Sequence, residues 1–225
     1  MNHIIKTFAV LCAVGAIGAR AEQAAPAAEK IPTERISFYE VPLVCPAAPQ
    51  IGCGSASKPL LLELEHNPAV AEAWLNRAGT SMAIVWKDLS KAKERARVVN
   101  AVMEPRGMTA KELVGKGRRR ALSDFDSRKN WYRGADVDRL SEEEAGVIAN
   151  RWIGRFHEKI VMTDEQMKVL QDAFTLEIKR RLTGQITREE ATGNMVKIAH
   201  KYLDEKSVAV LLENFGGALH PKEQK

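Results

Sequence analysis

The chain has 225 residues, 45% of them hydrophobic and 28% charged, with 34 Lys and Arg against 29 Asp and Glu for a formal charge of +5. That composition is globular and excludes a collagen-like or disordered chain, and the length excludes a large multi-domain enzyme. Lys6 is followed by the apolar run Thr7 to Ala19, and Ala19-Arg20-Ala21 offers a small-x-small cleavage site, so residues 1–21 read as a secretory signal peptide. The run is shorter than the roughly 20 residues a membrane span needs. The expectation is a periplasmic or secreted protein with no stable membrane span after signal cleavage. Cleavage removes Lys6, Arg20 and Cys12, two cations and no acid, which takes the charge from +5 to +3 and leaves two cysteines. So slight a positive excess gives no nucleic-acid partner.

Residues 22–35 are mostly Ala, Pro, Glu and Lys without apolar periodicity and read as a flexible linker. Ile36, Phe38, Val41, Leu43 and Val44 then form a β-prone stretch that ends in the turn-rich loop Cys45 to Gly54. Ser57 stands before a short helix carrying Leu60, Leu61 and Leu64, which Asn67-Pro68 stops. Val70 to Asn76 and Thr80 to Lys87 flank the turn Arg77-Ala78-Gly79, so they read as a β-hairpin. Ser90 is placed to cap a helix whose apolar residues are Ala92, Ala96, Val99 and Met103, closed by Pro105 and Gly107. A last short strand is expected within about 109–125. The basic run Lys116, Arg118, Arg119 and Arg120, spaced by Gly115 and Gly117, reads as a solvated loop.

Beyond Asp126 the pattern is almost purely helical. Ser141 with Glu144, Thr163 with Gln166 and Thr187 with Glu190 have the spacing of capping boxes at three helix starts. The helices carry the stripes Ala145-Ile148-Trp152-Phe156-Ile160, Met167-Leu170-Phe174-Ile178-Leu182 and Ala191-Met195-Ile198-Tyr202. A fourth, with Val208, Leu211, Leu212 and Phe215, is expected to stop at Gly216-Gly217. This half reads as an all-α hairpin or small bundle over residues 126–217, followed by a tail at 218–225.

Chemical promise centres on Cys45 and Cys53. A thiol at a helix start meets unpaired backbone N–H groups and the positive end of the dipole, which makes Cys53 the more acidic sulfur. Two thiolates suit a soft metal ion such as Cu(I), and an oxidising compartment turns the same pair into a disulfide. A structural disulfide, a metal pair and a redox pair all remain open, although the spacing matches neither CxxC nor a four-ligand zinc pattern. His157, His200 and His220 form no i, i+4 pair with another His or Cys and read as isolated. With no phosphate loop, GxSxG or HExxH in the sequence, no enzyme is expected.

Residues 36 to about 113 resemble the heavy-metal-associated domain of copper and mercury carriers. Pro68-Ala69-Val70, Leu75-Asn76, Ala78-Gly79-Thr80 and Ala83-Ile84-Val85 fall where that family places its hairpin and glycine turn, and Gly107-Met108-Thr109-Ala110 falls near its segment after the second helix. The family's Met-x-Cys-x-x-Cys signature is altered: Leu43 occupies the methionine position, and seven residues separate Cys45 from Cys53. The resemblance implies a ferredoxin-like βαββαβ domain over residues 36–125, soft-metal binding of Cu(I) or Hg(II) by the cysteines, and Met108 near them as a third soft ligand. Met162-Thr163-Asp164-Glu165-Gln166 is similar to the LTxxQ motif of periplasmic stress chaperones.

The expectation is therefore an α+β protein, a ferredoxin-like domain followed by helices. It binds or senses a soft metal ion without catalysis, and its partner is that ion or another envelope protein. The alternative is a chaperone-like helical protein in which Cys45 and Cys53 form a structural disulfide.

Overall fold

In a computed structural model, which describes residues 31–89 and 91–219 and side chains as far as Glu213, a 3-10 turn (Thr33–Arg35) leads into strand β1 (Ile36–Glu40). The expected signal peptide, the linker up to residue 30, the capping residue Ser90 and His220 lie outside the described residues. A short hairpin follows, β2 (Val44–Cys45) and β3 (Ala48–Gly52), then helix α1 (Gly54–His66), β4 (Val70–Asn76), β5 (Ser81–Trp86) and α2 (Ala92–Met103). Next come β6 (Lys111–Glu112), α3 (Gly115–Asp126) and β7 (Trp131–Arg133). Helices α4 (Asp138–His157), α5 (Asp164–Leu182), α6 (Arg188–Tyr202) and α7 (Glu205–Leu219) complete the chain. The protein is thus α+β, with a sheet-bearing N-terminal region and a helical C-terminal region.

The main sheet has the order β6-β1-β5-β4-β7, and every pairing in it is antiparallel. Successive side chains of a strand point to opposite faces, and here both faces are covered. Tyr39, Met82, Ile84 and Trp86 face a core shared with Leu60, Leu61 and Leu64 of α1 and Val99 and Met103 of α2. Ile36, Phe38, Ala83 and Val85 face Ala121 and Phe125 of α3 and Trp131 of β7. On that second face Phe125 meets Phe38, Trp74 and Trp131 edge-to-face at 5.1 to 5.8 Å, with the Arg128 guanidinium over the Trp74 and Phe125 rings.

Several expectations are corrected here. The basic run is a helix, because Ala121 and Phe125 lie four residues apart and give it an apolar face to lay on the sheet. Arg118 is partly buried and donates to the carbonyls of Thr33 and Ile36 at 2.6 and 3.3 Å, while Lys116, Arg119 and Arg120 are exposed. The region beyond Asp126 is not purely helical, since β7 pairs with β4 as the sheet edge. The loop between the cysteines contains a β-hairpin, and α1 begins at Gly54 rather than after Ser57, whose hydroxyl donates to the Cys53 carbonyl at 2.6 Å. Helix α7 runs through Gly216-Gly217 to Leu219. Thr163 with Gln166 and Thr187 with Glu190 do form capping boxes, each hydroxyl accepting from the backbone at 3.1 Å. Ser141 and Glu144 do not, because α4 starts a turn earlier and buries both.

The described residues from Ile31 onward form one compact unit. The helical region packs around Phe156, Leu170, Phe174, Ile178 and Met195, and this core takes in Cys45 and Ala48 of the β2–β3 hairpin. Val137 and Leu140, at the start of α4, join the core beneath the sheet. No helix among the described residues is long and apolar enough to cross a membrane.

Candidate metal and thiol centre

Backbone hydrogen bonds fix the cysteines before any side chain is considered. The β2–β3 hairpin docks on the β4–β5 turn through Leu43 N–H to Gly79 O at 3.0 Å and Gly52 N–H to Arg77 O at 2.7 Å, while Cys53 N–H reaches back to Leu43 O at 2.7 Å. The two backbones touch: a Cβ on Gly52 would sit 2.9 Å from Gly79 Cα, and Gly79 itself has φ +72°. Glycine is the residue that tolerates both the approach and the left-handed conformation. The result places Cys45 at the end of β2 and Cys53 as the N-cap of α1.

Helix α4 closes the third side. The Gly54 N–H, one of the unpaired donors at the start of α1, donates to Glu144 Oε2 at 3.0 Å. One turn along α1, Lys58 pairs with Asp138 of α4 at 2.6 Å. A side chain at position 54 would collide with Ser141, so the two helix starts meet at a glycine. Cys45 Sγ, Cys53 Sγ and a Glu144 carboxylate oxygen thereby lie within 4.8 Å of one another.

The three groups are electrostatically unequal. The Cys53 thiol is lowered to about 5, first because the Cys45 thiol donates to it, then because the Ser55 hydroxyl and the Ala56 N–H favour its thiolate; burial opposes them. Cys45 is pushed up strongly, because it gives that hydrogen bond, is buried and faces Glu144. Glu144, 1% exposed, is raised to about 7, chiefly by burial and further by the Cys53 thiolate, against the bonds it accepts from Cys45 and the Gly54 N–H. Cys53 is half-buried, so it is the sulfur that solvent reaches. Such a site can take up a soft cation, or lose two protons and two electrons to form a disulfide.

Of the expected residues, Cys45 and Cys53 come together, and both are free thiols. Met108 packs against the core formed by the sheet, α1 and α2, whereas Cys45 belongs to the helical core and Cys53 packs against it. His157 is exposed, and His200 lies 3.4 Å from Glu205 near the start of α7. Within the LTxxQ-like segment, Met162 is buried in the helical core and Gln166 donates to the Tyr202 carbonyl at 2.6 Å.

Sequence reasoning missed Glu144. Its spacing from Ser141 suggested a cap, but it lies on the apolar stripe, four residues from Leu140 and four from Ile148. A carboxylate on a buried helix face needs hydrogen-bond partners, and that position was the available signal. Comparison with known proteins adds no relative: no family model, curated protein or solved structure matches the chain.

Proposed function

We propose that the chain binds one soft metal ion, Cu(I) or Hg(II), through the sulfurs of Cys45 and Cys53, with the Glu144 carboxylate as a third donor and without catalysis. The observation that carries this reading is the convergence of the three donor atoms within 4.8 Å of one another, from three separate elements. Two thiolates select soft cations, and ligands on a hairpin, a helix start and a second helix are held in place before the ion arrives. The lowered Cys53 thiol supports it, because a ligand already deprotonated near neutral pH binds without first losing a proton. In the same reading, the β6-β1-β5-β4 order with α1 and α2 on one face is a ferredoxin-like βαββαβ unit, to which β7 adds an edge. Residues 1–21 would export the chain, and its partner would be the ion or another envelope protein.

The test is titration of the reduced protein with Cu(I) and with Hg(II) against a competing chelator. One equivalent is expected for the wild type, none for C45S or C53S, and weakened uptake for E144Q. Unchanged uptake by the C45S/C53S double variant would overturn the reading.

A second reading is favoured by the inequality of the sulfurs, a half-buried acidic one beside a buried protonated one. An attacking thiol and its resolving partner have that arrangement, and they would pass two electrons and two protons to an oxidised disulfide partner. A pair whose reduction potential lies well above about −300 mV fits this exchange, whereas a structural disulfide lies below it.

A further inference from the structure

We propose that a cavity bounded by α4, α5 and α6 binds a small amphipathic organic anion, an apolar aliphatic or aromatic body bearing one carboxylate or phosphate head. The cavity encloses about 290 Å³, near the lower end of ligand-binding clefts. Four guanidinium groups line it: Arg151 and Arg155 from α4, Arg181 from the last turn of α5 and Arg188 from the first turn of α6. Among the described residues, no acidic side chain lines it. Its apolar lining comes from Ile148, Ile178 and Met195, with the Trp152 ring beside them.

Arg151 and Arg155 are four residues apart on one helix, a spacing at which like charges repel. Arg155 and Arg181 have no ion pair among the described residues, whereas Lys179, two residues before Arg181 on α5, pairs with Glu142 of α4 at 2.6 Å. An anion inside would relieve that repulsion, and guanidinium forks match carboxylate and phosphate oxygens in paired hydrogen bonds. Ile148, Ile178 and Met195, which belong to the helical core, give the cavity an apolar side that a bare inorganic ion would not cover. A neutral hydrocarbon would offer nothing to the Arg155 and Arg181 guanidinium groups.

The cavity also touches the hairpin that carries Cys45. Ala47 lines it, and Arg151 donates to the Ala47 carbonyl at 2.6 Å. The proposal does not depend on metal binding, and its test is made on the metal-free protein.

Isothermal titration of the full chain with octanoate, phenyl phosphate, inorganic phosphate and octanol separates head from body. Saturable one-to-one binding of octanoate or phenyl phosphate is expected, at least ten-fold tighter than inorganic phosphate or octanol. Octanoate alone would assign a carboxylate head, and phenyl phosphate alone a phosphate head. The R155Q/R181Q variant, changed only at exposed side chains, should lose at least ten-fold in affinity. T192F, which fills the rim from α6, should abolish binding with the charges intact. Inorganic phosphate or octanol binding as tightly as the amphipathic anions, binding indifferent to these variants, or no binding at all would overturn the proposal.

Discussion

The sheet region and the helical region of this protein bury their apolar surface by different rules. In the sheet, strand residues alternate between two cores, so β1 and β5 send Tyr39, Met82, Ile84 and Trp86 one way and Phe38, Ala83 and Val85 the other. In α4 to α6 each helix offers a single stripe, and the stripes meet around Phe174 and Met195. Neither rule accounts for the seam between the regions, where Cys45, Cys53, Gly54 and Glu144 meet. There, a polar group enters an apolar stripe and a glycine stands where two helix starts touch. Chemistry concentrates where the packing patterns break.

The largest expected contrast lies within the seam itself. The Cys53 thiolate is populated above about pH 5, so alkylation by iodoacetamide should rise through that pH and level off by neutrality. An ordinary thiol would continue to gain toward pH 9. Peptide mapping should show Cys45 scarcely modified in the same interval. Because the Cys45 thiol is the leading cause of the shift, C45S should move the Cys53 midpoint upward. A wild-type midpoint near 9 would remove the electrostatic distinction between the sulfurs.

Core truncations ask whether the two regions unfold together. Phe174→Ala should cost about 3–5 kcal/mol and Leu60→Ala about 2–5 kcal/mol, as fully buried residues do. If α1 and α4 couple the regions through Gly54–Glu144 and Lys58–Asp138, both variants lower one shared transition in chemical denaturation. Two separated transitions would show the seam to be weak.

Gly54→Ala is the intermediate case. The added Cβ meets the Ser141 side chain and backbone, and forced overpacking costs about 1–3 kcal/mol. Moving α4 away also carries Glu144 from the sulfurs, so the lost stability should come with weaker Cu(I) uptake. A stable variant with wild-type uptake would mean that α4 contributes nothing to the site. The smallest effects belong to the caps: Thr163→Ala and Thr187→Ala should each cost about 1 kcal/mol by denaturation, without altering the thiols.

Much of the architecture was legible because it rests on local pattern. The hairpin around Gly79, the stripe of α5 and the Thr163 and Thr187 caps are all written within a few residues of sequence, whereas the α6 stripe holds only through Ala191 and Met195, since Ala199 is buried and Tyr202 exposed. What was hidden depends on distant partners. Helix α3 hides among glycines and arginines because its apolar face needs only Ala121 and Phe125 once the sheet is there to receive them. Strand β7, three residues long, acquires its identity from β4. Within the site, Cys53 at a helix start was legible from the residues around it. Glu144 was not, because its role depends on α1 arriving 90 residues earlier in the chain to offer the Gly54 N–H.

The central claim is that three side chains from three elements hold one ion. X-ray absorption at the copper edge of the one-to-one Cu(I) complex tests it most directly, with C45S/C53S and E144Q as controls. Two sulfur neighbours and one oxygen are expected, with the oxygen lost in E144Q and both sulfurs lost in the double cysteine variant. A shell without sulfur, or the same shell in the double cysteine variant, would contradict the account.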